Sequence, residues 1–336
     1  MGSHRRSAPS GLDRGTGAAL CALSAAAAAL GAVPADAAPG GGRAEVDRLY
    51  AEAESATQDY DRADERAGVL RREIRQDQDR IARQQQRVND LRESLGSLAG
   101  AEYRSGGVDP AVALFFSAHP DDYLDRATAL DRVGQRQAGR LRELRSALRG
   151  LAQDRAEAED RLTDLERSRK QVAAHKRTVE GKLARAQRLL AALPAAERDA
   201  WGRASRSGRD ALPAPSGDGA PDARAAAAVA AARTALGRPY VWGANGPTGF
   251  DCSGLMQWSY AHAGVQLPRT SQEQRSAGRR VPLSEARPGD LVVYRSDASH
   301  VGMYVGHGQV IHAPYPGAPV RYDPVGMMPI SSVTRP

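Results

Sequence analysis

Cys252 stands in the run Gly249-Phe250-Asp251-Cys252-Ser253-Gly254, three residues after a glycine. That order predicts a helix beginning at Asp251-Cys252, with the thiol in its first turn. There, unpaired backbone N–H groups and the helix dipole favour a thiolate. His300 opens the strand-like run His300-Val301-Gly302-Met303-Tyr304, and His312 closes Gln309-Val310-Ile311-His312. A histidine facing the helix N-terminus from a neighbouring strand can pair with the thiolate and act as general base and acid. A second histidine, one strand further on, can accept the ring N–H of the first and fix its tautomer, the Cys-His-polar form of a nucleophilic triad. A single histidine is more often structural; the force of the pattern lies in all three residues falling in one compact region. Cys252, His300 and His312 could also be written as three metal ligands, but no helical His pair or Cys-x-x-Cys spacing supports that. No metal and no cofactor is expected.

The cysteine count strengthens the case. The chain has two, Cys21 and Cys252. Arg5, Arg6 and Arg14 precede an Ala-rich apolar stretch from Ala18 to Val33, and Ala35-Asp36-Ala37 supplies small residues for cleavage after Ala37. Residues 1–37 thus have the layout of a secretory signal peptide. Its removal leaves Cys252 alone, unable to form an internal disulfide, and therefore either a reactive thiol or a buried bystander.

The elements that must position these groups emerge from composition. Length 336 allows about two domains. A net charge of +7, from 47 basic and 40 acidic residues, does not argue for nucleic-acid binding. No stretch reaches the roughly 20 strongly apolar residues of a membrane span. Residues 43–193 are rod-like. Apolar residues step by three and four through Val46, Leu49, Ala53, Ala56, Tyr60, Ala63, Ala67, Leu70 and Ile74, and again through Ile81, Val88, Leu91, Leu95 and Leu98. A second run passes through Leu141, Leu144, Leu148, Leu151, Arg155, Ala158, Leu162, Leu165, Arg169, Val172, Lys176 and Val179 to Leu183, Ala186, Leu190 and Leu193. Sustained heptads of this kind predict an antiparallel coiled-coil hairpin, with intermolecular pairing of the arms as the competing arrangement. Between the arms, Gly106-Gly107 and Asp109-Pro110 interrupt the helix, and an apolar run predicts a tip helix near 108–118.

Residues 194–222 lose periodicity and are rich in Gly, Ala, Ser and Pro, as a linker would be. The last segment, 223–336, holds nine of the sixteen aromatic residues and a net charge of +5, eleven Arg against six acidic residues. Its patterning predicts helices at about 222–236, 251–262 and 270–277, then strands at Leu291–Tyr294, His300–Val305 and Gln309–His312. Helices followed by adjacent strands define an α+β domain.

Six motifs in this segment carry a family resemblance. They are Pro239-Tyr240-Val241-Trp242-Gly243, Phe250-Asp251-Cys252-Ser253-Gly254-Leu255, Leu267-Pro268-Arg269-Thr270-Ser271, Pro288-Gly289-Asp290-Leu291, His300-Val301-Gly302-Met303-Tyr304 and Ile311-His312-Ala313. In order and spacing the segment resembles the NlpC/p60 cysteine peptidases, with Ala244 replacing a second Gly common after Trp-Gly. The resemblance implies a papain-like fold and cleavage of peptidoglycan stem peptides, typically between D-glutamate and the diamino acid. It implies Cys252 as nucleophile, His300 as base and His312 as orienting residue. Tyr240 would help hold the oxyanion or substrate, and Asp251, Ser253 and Arg269 would contact the stem peptide. The whole chain resembles actinobacterial cell-separation endopeptidases, which implies a secreted, wall-associated enzyme. It further implies that the coiled coil occludes the active site or docks a membrane divisome partner.

The expected function is thus a secreted peptidoglycan hydrolase using Cys-His-His thiol catalysis. The competing readings are a catalytically inactive wall-binding or divisome scaffold, which loss of a triad residue would favour, and an acyltransferase, against which export and the stem-peptide motifs argue.

Overall fold

Long alternating three- and four-residue steps produce long helices. In a computed structural model, which describes residues 41–104, 112, 123–204 and 222–336, α1 (Gly41–Arg104) has 64 residues and α2 (Tyr123–Ala192) has 70. The predicted signal segment 1–37 and residues 205–221 of the predicted linker lie outside the described residues. So does the predicted tip helix, apart from Val112. The two helices run antiparallel within one chain: Lys182 reaches Glu52 at 2.5 Å near one end, and Arg87 reaches Glu143 at 2.5 Å further along. Three apolar clusters lie between them, the largest of Val46, Leu49, Tyr50, Ala53, Ala56, Val179, Leu183 and Ala186.

Along α1 the buried positions follow the predicted steps, but in the middle of α2 they do not. Arg155, Leu162, Arg169 and Lys176 are exposed, whereas Asp154, Arg161, Ser168 and His175 turn inward. The seam steps three-then-four where four-then-three is predicted. The reason is polar: Arg161 donates to the buried Asp77 at 2.6 Å, Arg80 to Asp154 at 2.8 Å, and the Ser168 hydroxyl to the Ala63 carbonyl at 2.9 Å. With few apolar residues at stake, ion pairs and a hydroxyl settle the register, and Leu162 is left 49% exposed.

The predicted linker begins instead with a helix, α3 (Ala195–Ala204). Pro194 precedes it, its carbonyl accepting the N–H groups of Glu197 and Arg198 at 3.0 Å, and Ala-Ala-Glu-Arg are good helix formers. Then come α4 (Ala223–Thr234), capped by Asp222, and α5 (Cys252–His262), capped by Asp251. The single turn α6 (Ser271–Gln274) starts at a Thr270/Glu273 capping box. No helix among the described residues is long and apolar enough to cross a membrane.

Six strands follow: β1 (Arg279–Val281), β2 (Leu291–Tyr294), β3 (His300–Gly306), β4 (Gln309–His312), β5 (Arg321–Pro324) and β6 (Ile330–Arg335). They form one antiparallel sheet in the order β1-β6-β2-β3-β4-β5. The central β2, β3 and β4 are the three strands legible in the sequence. The other three, Arg-Arg-Val, Arg-Tyr-Asp-Pro and Ile-Ser-Ser-Val-Thr-Arg, are polar: β5 pairs with β4, β6 with β2, and β1 with β6. On one face Leu291, Val293, Met303 and Ile311 pack under Ala228, Ala232, Leu255 and Met256 of α4 and α5; on the other, Val292, Tyr294, Tyr304 and Val310 form a smaller cluster. A wholly buried β3 therefore lies against α5 and brings His300 to the start of that helix.

Candidate active site

Cys252 is the first residue of α5. The Asp251 side chain accepts the Gly254 N–H at 2.7 Å, which fixes the helix start, and Cys252 is fully buried. Gly254 is required by close approach: a Cβ there would stand 2.2 Å from the Ala244 carbonyl oxygen. His300, at the start of β3, directs Nε2 to His312 Nδ1 at 2.7 Å, and His312 directs Nε2 to Asp323 at 2.8 Å. Arg321 holds the same Asp323 oxygen through Nε at 2.8 Å. The carboxylate fixes a proton on His312 Nε2, which leaves Nδ1 to accept the His300 Nε2–H. The relay thus extends one residue beyond the predicted triad. Asp323 was missed because β5 was missed; its only sequence signal is its alternation with Arg321 on a short polar strand. Burial, with the charge of His300 and against the pull of Asp323, pushes the His312 pKa down to about 4. His312 is therefore neutral, as an orienting group should be.

Tyr240 is buried in the same cluster as Cys252. Burial, reinforced by the nearby Glu54 and Cys252, raises its phenol pKa well above the ordinary value, so it remains a hydroxyl. Asp251, Ser253 and Arg269 are also brought to the nucleophile. Arg269 donates to both Asp251 oxygens, at 3.0 and 2.5 Å, and to the Ser253 hydroxyl at 3.0 Å.

What occupies this site is α1. Glu54, Gln58 and Asp61, spaced i, i+4, i+7, project from one face of the helix into the domain and are all buried. Glu54 pairs with His300 Nδ1 through one oxygen and accepts from Arg295 at 2.6 Å through the other. The Gln58 amide donates to the Cys252 sulfur at 3.7 Å, and its carbonyl accepts from the Ser271 N–H at 2.7 Å and the Ser271 hydroxyl at 2.9 Å. Asp61 accepts from Arg269 at 3.0 Å. Around these polar contacts Tyr60 meets Trp242 edge-on at 5.0 Å and Tyr50 packs on Tyr315 at 5.3 Å.

The electrostatics follow from this insertion. Burial, then the charges of Glu54 and Asp251, push the Cys252 thiol well above its ordinary pKa. The sequence-based expectation of a thiolate held by His300 is corrected: here the thiol is neutral and the imidazole is engaged by Glu54. Burial opposes ionisation of Glu54 too, but His300 and Arg295 outweigh it and hold the carboxyl at about 2. Asp61 moves the other way. Burial and the neighbouring Asp251 push it up to about 9, Arg269 only partly offsetting them, because two carboxylates share one guanidinium.

Glu54, Gln58 and Asp61 escaped the sequence analysis. A heptad reading consigns every position off the apolar seam to solvent, and Glu-x3-Gln-x2-Asp is an ordinary polar face.

Comparison with known proteins places the domain. The NlpC/P60 family matches residues 237–333. A probable endopeptidase of Corynebacterium glutamicum is 46% identical over 125 residues, which cover 37% of this chain and 60% of that protein. A probable endopeptidase of Mycobacterium tuberculosis is 46% identical over 118 residues, 35% of this chain and 30% of that protein. The solved P60 domain of an antigen from M. avium subspecies paratuberculosis is 37% identical, with a TM-score of 0.31, over 33% of this chain and 93% of that one. Residues 237–333 therefore form an NlpC/P60 domain. The chain spans 60% of the first of these relatives and 30% of the second.

Proposed function

We propose that the protein is an exported, wall-associated thiol hydrolase of peptidoglycan that cuts stem peptides between D-glutamate and the diamino acid, and that α1 restrains it. The observation that carries this reading is the line Cys252, His300, His312, Asp323 assembled on an NlpC/P60 domain, with Glu54 and Gln58 lying on its nucleophile and base. In the proposed mechanism, withdrawal of α1 frees His300 Nδ1 to take the Cys252 proton. The thiolate attacks the carbonyl carbon, and the Cys252 backbone N–H, unpaired at the helix start, donates to the oxyanion with the Tyr240 hydroxyl. His300 returns its proton to the leaving amine, and water hydrolyses the acyl-enzyme. Asp251, Ser253 and Arg269, released from Gln58 and Asp61, then face the stem peptide. A membrane divisome partner acting on the hairpin would supply the withdrawal.

The test incubates purified peptidoglycan with the full chain, with a Glu54→Ala/Gln58→Ala/Asp61→Ala variant, and with that variant also carrying Cys252→Ala. Released muropeptides are sequenced by mass spectrometry. Products ending in D-glutamate, fastest with the triple variant and absent without Cys252, are expected. Equal release with and without Cys252 defeats the enzyme and leaves a wall-binding protein; equal rates for the full chain and the triple variant defeat the restraint.

A further inference from the structure

In the closed arrangement, three donors of different chemistry converge from elements far apart in sequence. A Glu54 carboxylate oxygen, the Cys252 sulfur and a His300 ring nitrogen all lie within 4.8 Å of one another, on three buried residues. The His300 nitrogen is defined by the relay. Asp323 fixes the His312 tautomer and His312 accepts the His300 Nε2–H, so the lone pair of a neutral His300 is on Nδ1. Nδ1 and the Glu54 oxygen are then two acceptors facing each other, and they need a shared cation, either a proton or a metal ion.

We propose that the closed site binds a thiophilic divalent cation, Zn²⁺ in the first instance, through Glu54 Oε1, Cys252 Sγ and His300 Nδ1, and that the ion latches α1 onto the domain. Carboxylate, thiolate and imidazole are the three protein ligands zinc takes. Ligands ~2.0–2.3 Å from one ion stand roughly 3–4 Å from each other. That lies between the close Glu54–His300 contact and the 4.8 Å limit, so a small withdrawal of the Glu54 carboxylate completes the geometry. The surrounding groups are those that orient metal ligands. His312 holds the far side of the His300 ring, Arg295 holds the second Glu54 oxygen, and the Gln58 amide donates to the sulfur. A cavity of about 430 Å³ is lined in part by Glu54, Arg295 and His312, beside the three donors. The ion would occupy both nucleophile and base, so it is a lock and not a catalyst. One ligand comes from the hairpin, and the ion therefore binds the closed form in preference to the open one. The proposal rests on the reading of α1 as a restraint.

Titration of the full chain with Co²⁺ tests it. One equivalent should bring a thiolate-to-cobalt charge-transfer band in the near ultraviolet together with the intense visible bands of four-coordinate cobalt, both displaced by Zn²⁺. Cys252→Ala should abolish the charge-transfer band. Glu54→Gln should weaken binding by roughly 10–100-fold, on the scale of losing a supporting group or more. X-ray absorption at the zinc edge of the wild-type chain provides a readout independent of any variant, with one sulfur and otherwise nitrogen and oxygen neighbours expected. Absence of the charge-transfer band, absence of a sulfur neighbour, or undiminished affinity in Glu54→Gln overturns the metal latch. Failure of the restraint itself shows separately: Cys252 in the metal-free chain would then alkylate as fast as in the Glu54→Ala/Gln58→Ala/Asp61→Ala variant.

Discussion

Replacing Glu54 with Gln should loosen α1 from the site. Gln keeps the length of the side chain and one acceptor for Arg295 but removes the charge that faces both Arg295 and His300. A glutamate carboxyl has an ordinary pKa of 4.5 and is held at about 2 in the docked helix, a difference worth about 3 kcal/mol. Glu54 is 5% exposed, so solvent screening does little to dilute that figure, and the loss of one partner from a buried pair costs about 3–5 kcal/mol. The open population should therefore rise about 100-fold. Because Cys252 is wholly buried when α1 is docked, its alkylation reports opening without any substrate. With chelator present and at neutral pH, labelling of the Cys252 peptide is followed by mass spectrometry in the wild type and Glu54→Gln. A rise of about two orders of magnitude is expected, up to the ceiling set by the triple variant, with helical content unchanged by circular dichroism. An unchanged labelling rate in a folded variant would refute the reasoning, since it would mean that Glu54 does not hold the helix down.

Four other outcomes follow from the same geometry. Asp61 has a folded pKa raised from 3.8 to about 9. The protonated form is thus favoured on docking, and its contribution is full below about 4 and is lost as pH rises towards 9. The ratio of Cys252 labelling in wild type to that in Asp61→Asn, in which thiol chemistry cancels, should climb across that interval, and a flat ratio counts against the shared-guanidinium account. Glu54 has the opposite sign: its contribution is present above 4.5 and fades as pH falls through about 2, so Glu54→Gln should abolish any acid-induced opening in that window. Asp323→Asn, introduced into the opened triple variant, should lower kcat by roughly 10²-fold with little change in KM, because His312 loses its enforced tautomer; an unaltered pH–rate profile would remove Asp323 from the relay. Gly254→Ala should destabilise the domain by about 1–3 kcal/mol, read by denaturant titration, since the new methyl group meets the Ala244 carbonyl rather than a movable side chain.

The residues themselves determined a good deal. Asp251 before Cys252 dictates a capped helix start, because an aspartate side chain there satisfies an orphan N–H whatever surrounds it. The short, nearly continuous apolar runs around Val293, Met303 and Ile311 dictate central strands, because each buries both faces. These are local or two-body constraints, and they remain visible in a linear chain. Strands β1, β5 and β6, the middle register of α2, Asp323 and the face of α1 that enters the active site were not legible. The last three consist of polar residues whose burial is tolerated only when a specific partner is present: Asp77 for Arg161, His312 for Asp323, Arg295 and His300 for Glu54, Ser271 for Gln58. A buried polar group is stable only with its partner in place, and that partner is supplied by a chain segment tens to hundreds of residues away. Sequence alone therefore singled out Cys252, His300 and His312. Only the tertiary structure decided that a polar stripe on a distant helix would lie across them.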